Sequence, residues 1–274
     1  MAASAAIGLC VGSFLNVVIH RLPRMMEAQW RAECASLEGR EAPAAERFNL
    51  VTPRSHCPSC GTPIKPWHNV PVFGWLWLRG KCAHCKAAIS ARYPLVELLG
   101  GLLAALAAWR FGASAPLLGA LVFCWALLAL TFIDFDTQLL PDDITLPLLW
   151  LGLALNVFGF YTDLRSAVLG AIAGYLVLWT VYWLFRLIAG KEGMGYGDFK
   201  LLAAIGAWVG WQVLPFVIVV SAGLGAVIGS IALAIARKGR DTQIPFGPYL
   251  ALGGIGGLVW GREAVVAWLG RFPA

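Results

Sequence analysis

Charged side chains are scarce in this sequence. Asp, Glu, Lys and Arg make up only 13% of its 274 residues, whereas about a quarter of the residues of a soluble domain are charged. Hydrophobic residues make up 59%, and the mean hydropathy is +0.72. This composition excludes an ordinary soluble domain and predicts a polytopic membrane protein whose main surroundings are the lipid bilayer.

Acidic residues are fewer than basic ones: the sequence has 15 Asp and Glu and 21 Lys and Arg. A net charge of +6 is compatible with nucleic-acid binding. Basic residues in membrane proteins, however, usually mark cytoplasmic loops and contacts with anionic headgroups. We therefore predict no nucleic-acid partner.

The first apolar run, from Ala2 to Ile19, lacks a basic segment before it. A secretory signal peptide begins with such a segment and has a more uniformly apolar centre, whereas this run contains Cys10 and Asn16. Residues 1–20 are therefore predicted to form a retained first transmembrane helix.

Only one long polar segment, residues 21–93, interrupts the apolar sequence, and we predict that it folds as a small domain. Residues 94–274 are predicted to form a membrane domain of seven helices, because each apolar run approaches the roughly 20 residues that cross the hydrocarbon. The fold class is thus all-α, with about eight transmembrane helices. The seven later runs are 94–110, 115–133, 144–161, 166–189, 201–213, 215–236 and 246–269, of which 201–213 is the least secure span.

Lys and Arg are distributed unevenly between alternate loops. If the N-terminus lies outside the cytoplasm, the inner loops contain 17 of the 21 basic residues. Cytoplasmic loops carry an excess of Lys and Arg, so this orientation is predicted, with residues 21–93, 134–143, 186–200 and 237–246 at the cytoplasmic face. The four outer basic residues are Arg110, Arg165, Arg262 and Arg271.

Four of the seven cysteines form two C-x2-C pairs in the polar segment, Cys57 with Cys60 and Cys82 with Cys85. Residues 61–81 separate the pairs, which is close to the spacing of a four-thiolate zinc ribbon. Two disulfides are the alternative, but a reducing cytoplasm disfavours them. We predict that the four cysteines hold a structural zinc ion.

A glycine-flanked carboxylate, Asp198 in Gly195-Tyr196-Gly197-Asp198-Phe199-Lys200, opens another apolar run. An ionisable side chain at the edge of a bilayer is costly and often functional. Glycine at 195 and 197 permits unusual dihedral angles and the close approach of another chain. The alternative is that Asp198 only caps the helix that follows.

Asp134 has an equivalent position at the end of an apolar run. It is the deepest acid of its loop, whereas Asp136 is predicted to be solvated on another face. Asp142 or Asp143 is predicted to cap the next helix. Two carboxylates at a water-accessible edge can share a proton, so that one accepts a proton from water while the other polarises a carbonyl. Asp134 and Asp198 are thus candidates for an aspartic protease pair.

Because Asp134 and Asp198 are far apart in sequence, pairing requires their helices to come together. We expect the two helices to pack side by side, with Gly206 and Gly210 allowing close approach.

Five segments carry a pattern that none of them specifies alone: GSFLNVVIHRLP at 12–23, the C-x2-C pairs, the stretch 81–97 with ISARYP at 89–94, ID at 133–134 running to LPD at 140–142, and GYGDFK at 195–200. In this order they resemble the prepilin peptidases, the type IV leader peptidases of bacteria. The resemblance covers nearly the whole chain, although the N-terminus is shorter than the family pattern implies.

The resemblance implies a bacterial inner-membrane enzyme that removes the basic leader of type IV prepilins and pseudopilins, cutting after a Gly and usually before a Phe. It also implies that the protein N-methylates the new N-terminus, with S-adenosylmethionine as the methyl donor. The family's catalytic aspartates correspond to Asp134 and Asp198. Gly195, Gly197 and Lys200 are candidate substrate-binding or supporting residues, and Lys200 could equally contact headgroups.

The glycine fingerprint of a Rossmann-type cofactor site is missing, so the position of the methyl donor is not predicted. Four polar residues are compatible with a cofactor site, although capping of helices is the simpler role: Asn16, His20, Asn69 and Glu97.

Two other functions compete with the peptidase. One is a proton-coupled transporter in which Asp134 and Asp198 form a relay and the cysteine domain is regulatory. Both acids are predicted at one face, and no inverted repeat is visible, which disfavours a transporter. The other is a methyltransferase alone, with structural acids.

Overall fold

Helices make up nearly all the regular structure in a computed structural model of the chain, which describes residues 1–40, 48–191, 193–236 and 245–269. Within these ranges the only β structure is two isolated bridges. The α-helices are α1 (Ala2–Leu37), α2 (Phe73–Trp77), α3 (Arg92–Phe111), α4 (Ala115–Thr137), α5 (Asp142–Val157), α6 (Leu164–Ala189), α7 (Tyr196–Val209), α8 (Leu214–Ala236) and α9 (Gly247–Leu269), and a 3-10 turn covers Pro66–Asn69.

The predicted all-α membrane fold is confirmed, because each of the eight predicted apolar runs coincides with a helix. Six of these helices, α1, α3, α4, α6, α8 and α9, are long and apolar enough to cross a membrane. The other two, α5 and α7, have 16 and 14 residues. They extend about 24 and 21 Å, short of the roughly 30 Å of hydrocarbon. Eight crossings therefore stay a prediction.

The predicted orientation also stays a prediction. Five of the basic residues on which it depends, Arg47, Arg237, Lys238, Arg240 and Arg271, lie outside the described residues.

Helix α1 is 36 residues long and continues well past the predicted boundary at residue 20. Pro23 lies inside it, although proline removes one backbone hydrogen bond. The following residues are mostly good helix formers, and Glu27 and Arg31 form an i,i+4 ion pair. The segment predicted as a separate polar domain therefore begins as a continuation of the first helix, while its domain boundary stays a prediction.

The chain forms two compact units, Met1–Trp109 and Arg110–Ala274. In the first unit, glycines bring α1 and α3 into backbone contact: a Cβ on Gly8 would lie 2.4 Å from the Gly100 carbonyl oxygen. Small residues allow such close helix packing in membranes. The buried Arg21 guanidinium then donates to the carbonyl oxygens of Asn49 and Pro53 (2.8 and 2.7 Å), which fastens the start of the cysteine segment to α1.

In the second unit α7 is the central helix and packs on α5, α6 and α9. Its closest approach is to α6, where a Cβ on Gly206 would lie 2.2 Å from the Gly170 carbonyl oxygen. At the far end Trp208 is fully buried and its Nε1 donates to the Leu148 carbonyl oxygen (2.8 Å). The position of α7, and of any side chain in its first turn, is therefore set by tertiary packing from three sides.

Candidate active site and metal centre

Asp134 lies one turn before the end of α4 and is only 5% exposed. The helix ends at Gln138, whose left-handed backbone (φ 54°) lets its N–H donate to the Asp134 carbonyl oxygen at 2.9 Å. The Asp134 side chain has its own partner, because the backbone N–H of Gly247 donates to Oδ2 at 2.9 Å. Gly247 is the first residue of α9, where backbone N–H groups have no partner within the helix.

Asp198 lies in the first turn of α7 and is 7% exposed. The residue that caps α7 is Gly195, and no side chain caps this helix. The interpretation of Asp198 as a simple N-cap is therefore wrong. Its Oδ1 is buried and has no hydrogen-bond partner among the described residues, and a catalytic role or an ordered water is the usual reason for such an atom.

The carboxylates of Asp134 and Asp198 are close enough to interact electrostatically, although 64 residues separate them in sequence. Both side chains lie in the second unit, at the ends of buried helices. This arrangement brings together the two acids that were selected from sequence.

The route to this proximity differs from the expected one. Helices α5 and α9 each contact both α4 and α7, and α4 meets α7 through side chains, with the Phe123 and Trp208 ring centres 4.8 Å apart. Gly206 instead meets Gly170 of α6, and a Cβ on Gly210 would approach Thr162 Oγ1 at 2.9 Å. The expectation that Gly206 and Gly210 join α4 to α7 is therefore wrong.

An apolar side chain, Leu140, lies beside Gly197 and Gly247, the glycines next to the carboxylates of Asp198 and Asp134. A Cβ on Gly197 would lie 2.8 Å from Leu140 Cβ, and a Cβ on Gly247 would lie 3.1 Å from Leu140 Cδ2 and 2.6 Å from Asp134 Oδ2. Only glycine fits at 197 and 247 without displacing these groups. The sequence reasoning missed Leu140 and Gly247, and the prolines at 245 and 248 signal a helix start but no contact with Asp134.

The structure gives Gly195 and Lys200 no contact with the two carboxylates as close as that of Gly247. Gly195 has an ordinary φ of −84°, and a Cβ there would be 4.0 Å from Asp198 Oδ2, so neither dihedral nor space requires glycine. Lys200 Nζ forms an ion pair with both oxygens of Asp142, at 2.8 and 2.7 Å. This pair links α7 to the start of α5.

The other acids at the end of α4 and the start of α5 are exposed. Asp136 is exposed on another face than Asp134, as predicted. Asp142 and Asp143 lie in the first turn of α5, whose capping residue is Pro141, and no side chain caps the helix. The prediction that one of them caps α5 is therefore wrong, although negative charge in a first turn is favourable.

The four cysteines come together in the first unit, with ligand atoms within 4.8 Å of one another. The Sγ atoms of Cys57 and Cys85 are 3.8 Å apart. A tetrahedral zinc with bonds of about 2.3 Å requires a sulfur–sulfur spacing of about 3.8 Å, whereas a disulfide bond is about 2.05 Å long. The arrangement could therefore hold a metal ion.

The cysteine sulfurs differ in acidity: despite a backbone hydrogen bond from Ala87, burial and the neighbouring thiols raise the pKa of Cys85 to about 11, whereas hydrogen bonds lower the pKa of two others. Hydrogen bonds with the side chain and the backbone of Thr62 lower the pKa of Cys60 to about 6. The backbone N–H groups of Cys85 and His84 lower the pKa of Cys82. Both shifts favour the thiolate, which is the form that binds a metal.

Two of the polar residues that were considered for a cofactor site, Asn16 and Glu97, form hydrogen bonds with the backbone. Asn16 Nδ2 donates to the carbonyl oxygens of Gly12 and Tyr93. Glu97 is buried in α3, and its Oε2 accepts the Val72 N–H at 2.7 Å. These contacts fit the simpler structural role.

Comparison with protein families matches both parts of the chain. Residues 6–111 match the model of the bacterial peptidase A24 N-terminal domain, and residues 121–230 match that of the type IV leader peptidase family. The first match contains the four cysteines, and the second contains Asp134 and Asp198. No solved structure matches the chain.

Curated relatives match over almost the full length. A prepilin leader peptidase/N-methyltransferase from Stutzerimonas stutzeri is 54% identical over 264 residues, covering 96% of this chain and 91% of that protein. Proteins of the same name from Pseudomonas aeruginosa and Burkholderia pseudomallei are 53% and 52% identical, covering 96% and 95% of this chain and 91% and 85% of theirs. With two family models and relatives above 50% identity along its length, the chain belongs to the type IV leader peptidase family.

Proposed function

We propose that this protein is a membrane aspartic endopeptidase that removes the leader of type IV prepilins and pseudopilins, cutting between Gly and Phe. The observation that carries this proposal is the approach of two buried carboxylates, Asp134 and Asp198, at the ends of helices in the membrane unit. Family membership favours the peptidase over a transporter.

The chemistry assigned to the pair is hydrolysis by an activated water. One carboxylate takes a proton from the water as its oxygen attacks the scissile carbonyl carbon, while the other, in its neutral form, donates a hydrogen bond to the carbonyl oxygen. The tetrahedral intermediate then collapses, the C–N bond breaks, and a carboxyl proton passes to the leaving amine. Gly247 supports this role by holding Asp134 Oδ2 in one position.

Gly197 and Lys200 are proposed as supporting residues. Gly197 lets α7 approach Leu140 and so places Asp198. Lys200 is engaged by Asp142, so its proposed part is to join α7 to α5, and binding an acidic substrate residue would require opening this ion pair. Gly195, at the cap of α7, is a weaker candidate.

The second proposed activity is N-methylation of the new N-terminus with S-adenosylmethionine as donor. It is supported by the names of the relatives. This second activity is proposed without assigning residues to the methyl donor.

We further propose that Cys57, Cys60, Cys82 and Cys85 hold zinc as a structural ion. Zinc suits four thiolates in tetrahedral geometry, and it would stabilise the short loops around the two pairs. The surplus of basic residues in the inner loops supports a bacterial inner-membrane location, with the cysteine segment and the acids at the cytoplasmic face.

One experiment separates the candidate functions. The purified protein is incubated with a prepilin and S-adenosylmethionine, and intact mass is followed. Loss of the leader together with the gain of a methyl group is expected. Methylation of a precleaved pilin without leader cleavage would leave the methyltransferase alone, and neither reaction by a folded protein would contradict the proposal.

A further inference from the structure

Helix α2 and the 3-10 turn before it present a group of large apolar side chains to solvent. Phe73, Leu76 and Trp77 are at helical positions i, i+3 and i+4, hence on one face, and are 65%, 56% and 80% exposed. Trp67 and Val70, which adjoin this face, are 57% and 45% exposed. We call these five residues the α2 apolar face. Contiguous exposed apolar groups of this kind mark interaction sites.

The opposite side of α2 is already engaged within its own unit. Trp75 Nε1 donates to the Ile89 carbonyl oxygen at 3.1 Å. Gly74 packs so tightly that a Cβ there would lie 2.2 Å from the His68 carbonyl oxygen. Rotating α2 to bury its apolar face would break both contacts, so the face is held outward.

A hydrogen bond sets the depth of α2 relative to a membrane-spanning helix. The Val72 N–H, immediately before α2, donates to Oε2 of Glu97 at 2.7 Å. Glu97 is the sixth residue of α3, which is long and apolar enough to cross a membrane, and so lies about 8 Å from its start. The α2 apolar face therefore starts level with the second turn of a span, in the interfacial zone where Trp is enriched.

The charged residues that flank the α2 apolar face in sequence are all basic as far as the buried Glu97. No Asp or Glu occurs between Glu46 and Glu97. Lys65 precedes the face, with its Nζ 5.5 Å from the Trp67 ring centre, and Arg79 follows it. Exposed cations beside aromatic side chains are complementary to anionic headgroups over hydrocarbon. The six basic residues from 48 to 96 are Arg54, Lys65, Arg79, Lys81, Lys86 and Arg92.

We propose that the α2 apolar face inserts into an anionic phospholipid surface, so that the cysteine segment lies on the membrane beside α3. This inference does not depend on the proposed peptidase function. A basic protein segment is disfavoured as the occupant by the same positive charge, and a lipid surface satisfies both the apolar face and the cations.

The test places a small environment-sensitive fluorescent amino acid at Trp77 of the full-length protein in nanodiscs. Quenching by acyl-chain-brominated lipid is compared with quenching by aqueous iodide, and the matched control site is Val51, 83% exposed in the same unit. In nanodiscs with phosphatidylglycerol we expect several-fold stronger lipid quenching at 77 than at 51. Iodide quenching at 77 equal to that at 51 would overturn the proposal.

Two further arms separate the lipid from other occupants. Lys65→Glu with Arg79→Glu should reduce the lipid quenching several-fold, and pure phosphatidylcholine should do the same. Equal lipid quenching in phosphatidylglycerol and in pure phosphatidylcholine nanodiscs would overturn the proposed attraction between the basic residues and anionic headgroups. Shielding of position 77 that appears only on adding a pilin substrate or at high protein concentration would replace the lipid by a protein partner.

The fluorescent residue is itself apolar and could insert into the membrane by itself. A second variant therefore replaces the neighbouring apolar side chains by polar ones. With the fluorescent residue at Leu76, the changes Phe73→Ser and Trp77→Ser should abolish most of the lipid quenching, while metal content of the cysteine cluster stays unchanged. Undiminished quenching in this variant would show that the native side chains do not drive insertion.

Discussion

At the scale of single residues, two carboxyl oxygens have opposite surroundings. Asp134 Oδ2 accepts a backbone N–H from the start of α9, whereas Asp198 Oδ1 is buried with no hydrogen-bond partner in the part of the chain that the structure describes. A buried polar atom without a partner is destabilising by about 1–3 kcal/mol. The arrangement is therefore understandable if the free oxygen is used by water or substrate during the reaction.

The first prediction concerns these carboxylates. Asp134→Asn and Asp198→Asn should each lower the rate of leader cleavage by about 10²- to 10⁴-fold or more, because an amide cannot accept the proton of water or share one. The double variant should be no worse than either single one, since the pair acts as a unit. Cleavage of a purified prepilin, followed by mass spectrometry, measures this.

Asp136→Asn is the matched control, since its side chain is exposed on the same helix as Asp134, and Asp142→Asn tests the loss of the exposed ion pair with Lys200, which is expected to contribute little. They should keep most of the cleavage activity, and methylation of a precleaved pilin should survive in all four variants. Substantial cleavage by a folded Asp198→Asn protein would refute the aspartyl mechanism.

The second prediction concerns Gly247. A Cβ at this position would lie 2.6 Å from Asp134 Oδ2, so Gly247→Ala should displace the carboxylate. A displacement of about 1 Å in a catalytic group can lower the rate about 10²-fold. We expect kcat to fall and KM to change little, as measured by initial rates of cleavage at varied prepilin concentrations.

Gly256→Ala on the same helix is the control, because its Cβ would make only ordinary contact, 3.7 Å from Phe216. A KM effect without a kcat effect in Gly247→Ala would contradict the positioning role and indicate a contact with substrate instead.

At the scale of helices, the position of Asp198 depends on how α7 is held. α7 packs on α6 through Gly170 and Gly206, with backbone contacts that leave no space for a methyl group. The adjacent residues are fixed by the buried Asn156, whose Nδ2 donates to the carbonyl oxygens of Ala207 and Trp208. Near the start of α7, Lys200 pairs with Asp142. A short helix that is held at its C-terminal end and near its start presents its first turn in one position.

The third prediction follows from this packing. Gly206→Ala should separate α7 from α6 and destabilise the protein by about 1–3 kcal/mol, as overpacking of a filled interior does. A lower midpoint of thermal unfolding in detergent, together with reduced cleavage, is expected.

Gly223→Ala in α8 serves as the matched substitution, since nothing lies within 4 Å of the added Cβ. It should leave the midpoint unchanged or raise it slightly, because alanine favours a helix. Equal stability of both variants would show that the α6–α7 contact is looser than its geometry indicates.

At the scale of the whole molecule, the two compact units have different sources of stability. The second unit has a core of fully buried side chains that includes Trp208, Phe123 and Phe199. In the first unit the cysteine segment has short helices and exposed apolar groups, and its two pairs of thiols meet within one small cluster. We therefore expect this segment to be the part whose folding depends on metal.

The fourth prediction tests that dependence. Cys82→Ser should reduce bound zinc from one per molecule to far less, because metal binding contributes directly to the folding of such small sites. Residues 50–90 should become susceptible to protease while the thermal midpoint of the membrane unit stays unchanged. Elemental analysis and limited proteolysis of the same sample provide the two readouts.

Cys124→Ser is the control for loss of a thiol outside the cluster, since Cys124 is buried in α4. A fully folded wild-type protein without stoichiometric metal would contradict the assignment of the four cysteines.

Much of this architecture could be predicted from sequence because the signals are local. Apolar runs of the right length predicted the helices, and the spacing within each C-x2-C pair predicted the thiol cluster. The depth of Asp134 and the exposure of Asp136 followed from their positions at the end of one run. Boundaries were less reliable, as α1 shows, because helix formers after Pro23 continue a helix that hydropathy alone would end.

The sequence by itself thus determined the membrane class, the helical elements, the two candidate acids and the four thiols, since each depends on neighbours along the chain. Tertiary structure alone decided that α7 packs on α6, that Gly247 holds Asp134, and that Lys200 pairs with Asp142. These contacts join residues between 58 and 113 positions apart or depend on which glycines meet across a helix pair. Which surfaces meet is settled by packing and buried hydrogen bonds in three dimensions, which no local pattern encodes.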